Sequence, residues 1–160
     1  MATHLFIFGT GAHARKVYHY AVHGGWKVVA FVDEADDAVA PIPALPVWKL
    51  ADLGAPPNGA AMFVAVGRAE VRLRLMDRMS RAGWKLPALV HESAWVAPDA
   101  SLGEGVLVAA GAVVESATVI ERGAIIDIGV MLDHDCWVGA FCHLRAGEVH
   151  GPRSSIEFRA

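Results

Sequence analysis

From Leu89 to Ala160 the chain divides without remainder into twelve blocks of six: LVHESA, WVAPDA, SLGEGV, LVAAGA, VVESAT, VIERGA, IIDIGV, MLDHDC, WVGAFC, HLRAGE, VHGPRS and SIEFRA. The second place of a block is Val, Leu or Ile in eleven of them, His150 being the exception. The sixth is small in eleven, with Glu148 the exception. A period of six that turns one aliphatic and one small side chain inward fits a parallel β-helix whose flat faces each take one block. Three blocks close a coil, so residues 89–160 predict an all-β parallel helix of about four coils.

Cys136 and Cys142 fall in the small inward place of consecutive blocks. That placement predicts reduced core residues, since no second Cys/His pair at metal-ligand spacing accompanies them; no metal is expected. At 160 residues and a formal charge of -3 the chain gives no electrostatic reason to expect nucleic acid or an anionic membrane as partner. The start, MATHLFIFGTGAHARK, holds an apolar run of four residues broken by Gly9. That is too short for a signal peptide or a membrane span, so a cytoplasmic location is expected.

Residues 1–88 carry a different pattern, strand alternating with helix. HLFIF (4–8), WKVVAFVD (26–33) and AMFVAVG (61–67) predict short buried strands. Between the first two, Ala14, Val17, Tyr18, Ala21 and Val22 recur at helical spacing until Gly24-Gly25 stops the helix. A Pro-rich loop follows through Pro41, Pro43 and Pro46, and AEVRLRLMDRMSRAG predicts an amphipathic helix ended by Gly83. The fold class expected is an α/β, half-Rossmann-like domain, 1–88, followed by the β-helix, 89–160.

In a parallel α/β sheet, ligands bind beyond the carboxyl ends of the strands, which here are Gly9 to His13, Asp33 to Asp37, and Gly67 with Arg68. Gly9-Thr10-Gly11-Ala12-His13-Ala14 fits G-x-G-x-x-A, and Asp33 closes the second strand at the spacing of a dinucleotide fingerprint. Read alone, that turn predicts a nicotinamide cofactor. Yet glycines and a helix amino terminus favour any diphosphate, and the small domain has room for half of the doubly wound sheet. One nucleotide therefore fits better than two. The nicotinamide reading also leaves the twelve blocks unexplained.

LFIFGTGAHARKV, AFVDE, VAVGRAEVR, ALVHESAWVAPDA and LDHDCWVGAFCHLRAG, in that order, resemble the bacterial nucleotide-sugar acyltransferases of the sialic-acid O-acetyltransferase and UDP-4-amino-sugar N-acetyltransferase types. The resemblance covers nearly the whole chain. It implies a left-handed β-helix, a homotrimer with sites between neighbouring subunits, acetyl-CoA as donor, and a UDP-sugar or similar nucleotide sugar as acceptor in surface-glycan synthesis. On matching positions, it implies that Gly9, Gly11 and His13 lie on the phosphate side of the nucleotide, that Asp33 and Glu34 contact uracil, and that Gly67 and Arg68 form part of the rim.

The same resemblance makes His134 the base and Asp135 its orienting partner, with Asp133 flanking. The chemistry agrees: an amine or hydroxyl attacking a thioester must lose a proton, imidazole can take it near neutrality, and a carboxylate on the far ring nitrogen fixes the tautomer. Lying two places after inward Leu132, His134 is expected to point outward. His143 matches a position that lines the acyl site. It lies nine residues beyond His134, half a coil, so a trimer interface is needed to bring the two together. His91 has a counterpart with a structural place at the domain join. Trp84, Trp95 and Trp137 are expected to serve packing or interfaces.

Asp127 departs from the family, which usually carries an amide there. Family helices also run several coils past the base, whereas this sequence reaches about one and a half, with Glu148 and His150 in inward places. That predicts a shortened CoA groove. The expected activity is acetyl-CoA-dependent acetyl transfer to a nucleotide-activated sugar; the alternative is a catalytically impaired nucleotide-sugar-binding protein of the same family.

Overall fold

A computed structural model describes residues 4–158. They divide into two compact units, the first running to Pro87 and the second starting at Ala88. In the first, β1 (His4–Phe8), β2 (Lys27–Asp33), β3 (Val47–Lys49) and β4 (Ala61–Val64) form one parallel sheet in the order β3-β2-β1-β4. Two helices, α1 (Ala12–His23) and α2 (Ala69–Arg81), complete it. β1 is central, and its Leu5 and Ile7 are fully buried. The chain leaves β1 towards β2 on one side and returns to β4 on the other, so the order reverses between β1 and β4. Such a switch point opens a crevice at the strands' carboxyl ends.

Local chemistry explains where the elements stop. Gly25 adopts φ +81°, and the N–H groups of Gly24 and Trp26 close α1 onto the carbonyls of Tyr20 and Ala21 at 2.9 and 3.0 Å. β3 was not foreseen. Three residues among prolines leave no alternation to read, and the strand exists because Phe31, Val32 and Asp33 of β2 pair with Val47, Trp48 and Lys49. Val22, expected on the buried stripe of α1, is exposed, one residue from the helix end. The third anticipated strand ends at Val64 rather than Gly67, after which Ala65 donates to Phe8 and the chain turns towards α2.

The second unit follows the six-residue register strand for strand. Its twelve two-residue strands are β5 (Leu89–Val90), β6 (Trp95–Val96), β7 (Ser101–Leu102), β8 (Leu107–Val108), β9 (Val113–Val114), β10 (Val119–Ile120), β11 (Ile125–Ile126), β12 (Met131–Leu132), β13 (Trp137–Val138), β14 (His143–Leu144), β15 (Val149–His150) and β16 (Ser155–Ile156). They stack into three parallel sheets of four, β5-β8-β11-β14, β6-β9-β12-β15 and β7-β10-β13-β16. Second and sixth places fill the interior: Val108, Val114, Ile126, Leu132 and Val138 meet Val106, Ala112, Ala124, Val130 and Cys136. Ala160, the last of the sixth places, lies outside the described residues. Both cysteines are free thiols in this core, their Sγ atoms 3.2 and 3.5 Å from the carbonyls of Gly151 and Ile156. Glu148 and His150 satisfy each other at 3.1 Å, and Glu148 also accepts from the Arg145 N–H at 2.8 Å.

Each corner turns through the fifth place of a block. From Gly105 to Arg153 every fifth place has φ between +57° and +77°; five are glycines, and the others are Ala117, Asp135, Phe141 and Arg153. A side chain there costs on the order of 1–2 kcal/mol, least for Asp, whose short polar group tolerates the left-handed region.

Candidate active site and nucleotide crevice

The crevice at the end of β1 depends on close backbone approach. Gly9 has φ +111°, donates to the Val32 carbonyl at 2.8 Å, and would place a Cβ 3.0 Å from the carbonyl oxygen of Ala65. A side chain is excluded on both counts. Gly11 is the N-cap of α1 and supplies no side-chain bond to the N–H groups of its first turn. His13 follows within that turn, its Nε2 buried. α2 likewise starts at an uncapped residue, Arg68, beside exposed Gly67. Two helix amino termini thus stand at the ends of adjacent strands β1 and β4, each carrying a partial positive charge suited to phosphate.

The two acidic residues after β2 separate in their bonding. Asp33 accepts the Thr10 hydroxyl at 2.7 Å and the Ala35 N–H at 3.1 Å, which ties the glycine turn to the end of β2. Glu34 instead forms a forked ion pair with Arg74 at 2.8 and 3.2 Å, with Arg78 at 4.0 Å. The pair does not sit as two free carboxylates.

In the second unit, His134 occupies the corner after β12, its side chain 49% exposed. Its Nδ1 lies 2.7 Å from Oδ2 of Asp135. An ionised carboxylate can only accept, so Nδ1 is the donor in this contact, and in the neutral imidazole the lone pair is then on Nε2. Asp133 acts on the backbone instead, its Oδ1 accepting the N–H of His134 at 2.7 Å. Three further bonds hold the corner. Thr118 Oγ1, fully buried in a sixth place, donates to the Asp133 carbonyl at 3.1 Å. The Asp135 N–H reaches the Ser116 carbonyl at 2.9 Å, and the Arg153 N–H reaches the His134 carbonyl at 3.0 Å. Ser116, one coil below His134, also donates its hydroxyl to Asp99 at 2.6 Å and holds that carboxyl below the usual range.

His143 stands outward in the first place of β14, on another face of the coil from His134. Its Nε2 is 3.4 Å from Oδ2 of Asp127, whose Oδ1 accepts the Ile128 N–H at 2.8 Å. His91 bonds Ser93 at 2.8 Å. Trp84 is buried edge-on against Phe6, Trp137 donates to Glu121, and Trp95 is exposed. No group of His, Cys, Asp and Glu among the described residues gathers as metal ligands would.

The PglD N-terminal domain family matches residues 4–79. Among solved structures, PerB from Caulobacter crescentus in complex with CoA and GDP-perosamine is 35% identical, with 94% of this chain and 72% of that chain covered and a TM-score of 0.81. The chain belongs to the nucleotide-sugar acetyltransferase family of left-handed β-helix proteins. A point mutant of perosamine N-acetyltransferase from the same organism, also with CoA and GDP-perosamine, is 31% identical over 97% of this chain and 74% of its own, at a TM-score of 0.85. The acetyltransferase domain of PglB from Neisseria gonorrhoeae in complex with acetyl coenzyme A is 30% identical, covering 89% and 70%, at 0.77.

For this acetyltransferase, membership leaves the nucleobase open, because the sugar nucleotide in the Caulobacter complexes is a GDP- rather than a UDP-sugar. No helix among its described residues is long and apolar enough to cross a membrane. Sequence reading missed Thr118, since a threonine in a small inward place looks like any other, and Ser116, which carries no signal outside its coil. It also missed Arg72, a buried arginine of α2 that bonds the Val66 and Gly67 carbonyls, because its helical position gave no hint of burial.

Proposed function

We propose that the protein transfers an acetyl group from acetyl-CoA to the amine of a nucleotide-activated amino sugar, with His134 as general base. The observation that carries this reading is the His134–Asp135 contact at 2.7 Å on an exposed corner, in a chain 35% identical to an enzyme solved with CoA and a GDP-amino sugar. His134 Nε2 takes a proton as the amine attacks the thioester carbonyl. The imidazolium, steadied by Asp135, then returns a proton as the tetrahedral centre collapses and the C–S bond breaks, releasing CoA thiol and the amide. No acyl-enzyme is required.

The glycine turn, the α1 amino terminus with His13, Asp33 and Glu34, and the Gly67–Arg68 rim are assigned to the nucleotide sugar. The Asp33 carboxylate keeps lone pairs for a ribose hydroxyl or a base N–H beyond its bonds to Thr10 and Ala35. Glu34, bound by Arg74, reaches the base only by exchanging that partner. His143, held by Asp127, is assigned to the acyl site. Nothing in the bonding of the His134 corner favours the impaired alternative.

The homotrimer implied by the family resemblance is supported by the outward side of the β6-β9-β12-β15 sheet. Its first places, Trp95, Val113, Met131 and Val149, stack in register as an apolar ladder. Val149 is 70% exposed, and Trp95 and Met131 are about half exposed. Such a row on a monomer marks an interface. A threefold arrangement would set His134 of one copy near His143 of the next. Acetyl-CoA and nucleotide sugars are cytoplasmic metabolites, so the cytoplasm is the assigned location.

The test is CoA release from acetyl-CoA with GDP- and UDP-linked 4-amino sugars and their 4-hydroxy counterparts. Turnover with an amino sugar supports the proposal; turnover with hydroxy sugars alone shifts it to O-acetylation, and none with any acceptor refutes it.

A further inference from the structure

Arg72 is 1% exposed, the bulkiest fully buried side chain among the described residues. A guanidinium is costly to bury unless its donors are engaged. Here Nη1 donates to the carbonyls of Val66 and Gly67, both at 2.8 Å. These are consecutive carbonyls in the turn that leads from β4 into α2. In a trans peptide the C=O and the following N–H point in opposite directions. Drawing both carbonyls inward therefore turns the N–H groups of Gly67 and Arg68 outward, where both residues are exposed. Across the switch point, Gly9 approaches the same turn so closely that a Cβ would lie 3.0 Å from the Ala65 oxygen.

We infer that Arg72 is a positioning residue for the diphosphate of the nucleotide sugar: from beneath the crevice it fixes the turn so that the Gly67 and Arg68 N–H groups face the ligand. This rests on the nucleotide-sugar reading above. Successive N–H groups held to one side bind anions only while the peptides keep that orientation. Arg72 does not touch the ligand. Its loss lets the 66–68 peptides rotate, so phosphate affinity falls without any change at the His134 corner.

Isothermal titration of the full chain with GDP, UDP and acetyl-CoA tests this on wild type, Arg72→Met and Arg72→Lys. Arg72→Met retains the apolar length of the side chain and is expected to weaken nucleoside diphosphate binding by about tenfold or more, the loss of charged hydrogen bonds, with acetyl-CoA affinity within about twofold. Arg72→Lys, which keeps a donor, is expected to recover part of the loss. A merely structural role would lower the melting temperature but leave the ratio of the two affinities unchanged. A folded Arg72→Met protein with wild-type GDP and UDP affinity overturns the inference alone. Wild type that binds neither nucleotide overturns the nucleotide reading as well. Should Arg72→Met not fold, amide NMR of wild type decides: GDP or UDP is expected to shift the Gly67 and Arg68 resonances, and unmoved resonances on a saturated protein refute the role.

Discussion

Asp135 holds Nδ1 of His134 at 2.7 Å from a backbone with φ +59°, a conformation that glycine supplies at five other corners of the coil. The carboxylate thus stands where the turn itself favours no side chain. Aspartate and asparagine both tolerate this region, so charge can be separated from backbone. Asp135→Asn is expected to lower kcat by about tenfold or more, through loss of imidazolium stabilisation and of the fixed tautomer, with little change in KM. Its melting temperature should stay close to wild type. Steady-state kinetics beside a thermal melt check both.

Thr118 acts on the same corner from inside the core. Removing its hydroxyl with Thr118→Val keeps the volume but strands the Asp133 carbonyl, a loss of about 1 kcal/mol. A drop of a few degrees in Tm is expected, together with a fall in kcat. Unchanged kcat at a lowered Tm would show that the bond is structural only.

Gly103 carries no positive φ, yet a Cβ there would meet the Arg122 nitrogen at 2.5 Å and its Cα at 2.9 Å in the coil above. Both are backbone atoms and cannot swing away. Gly103→Ala is expected to cost about 1–3 kcal/mol, read as a shift in the urea midpoint. Gly111→Ala is the control: its Cβ meets nothing within 4 Å, and only its φ of +67° opposes the change.

The apolar ladder gives a prediction about assembly. Met131 lies in its middle, paired with Val113 below and Val149 above. Met131→Glu puts a charge into the proposed interface and should shift the protein to monomer in sedimentation velocity, with loss of transfer activity while far-UV circular dichroism is retained. A wild-type monomer would rule out the trimer.

The helical unit was legible nearly to the residue, because the period of six fixes which side chains turn inward and every strand fell on the first two places of its block. The fifth-place rule was not read, since four of its nine positions are not glycine. In the first unit, β3 escaped because it depends on pairing with β2 across the Pro-rich loop, and Arg72 because it bonds a turn that a helical pattern does not encode. Asp33 ends β2, as the strand pattern suggested, and bonds Thr10 of the glycine turn, but the diversion of Glu34 to Arg74, forty residues away, is a tertiary fact that no local motif announces.

Whether His134 is the base of an acetyl transfer to an amino sugar is decided by comparing wild type with His134→Ala in a CoA-release assay. Acetyl-CoA and GDP- and UDP-linked 4-amino sugars serve as substrates. Wild type is expected to turn over, and the variant to lose about 10²–10⁴-fold in kcat, with KM values for both substrates close to wild type. Undiminished transfer by a folded His134→Ala protein would refute the assignment.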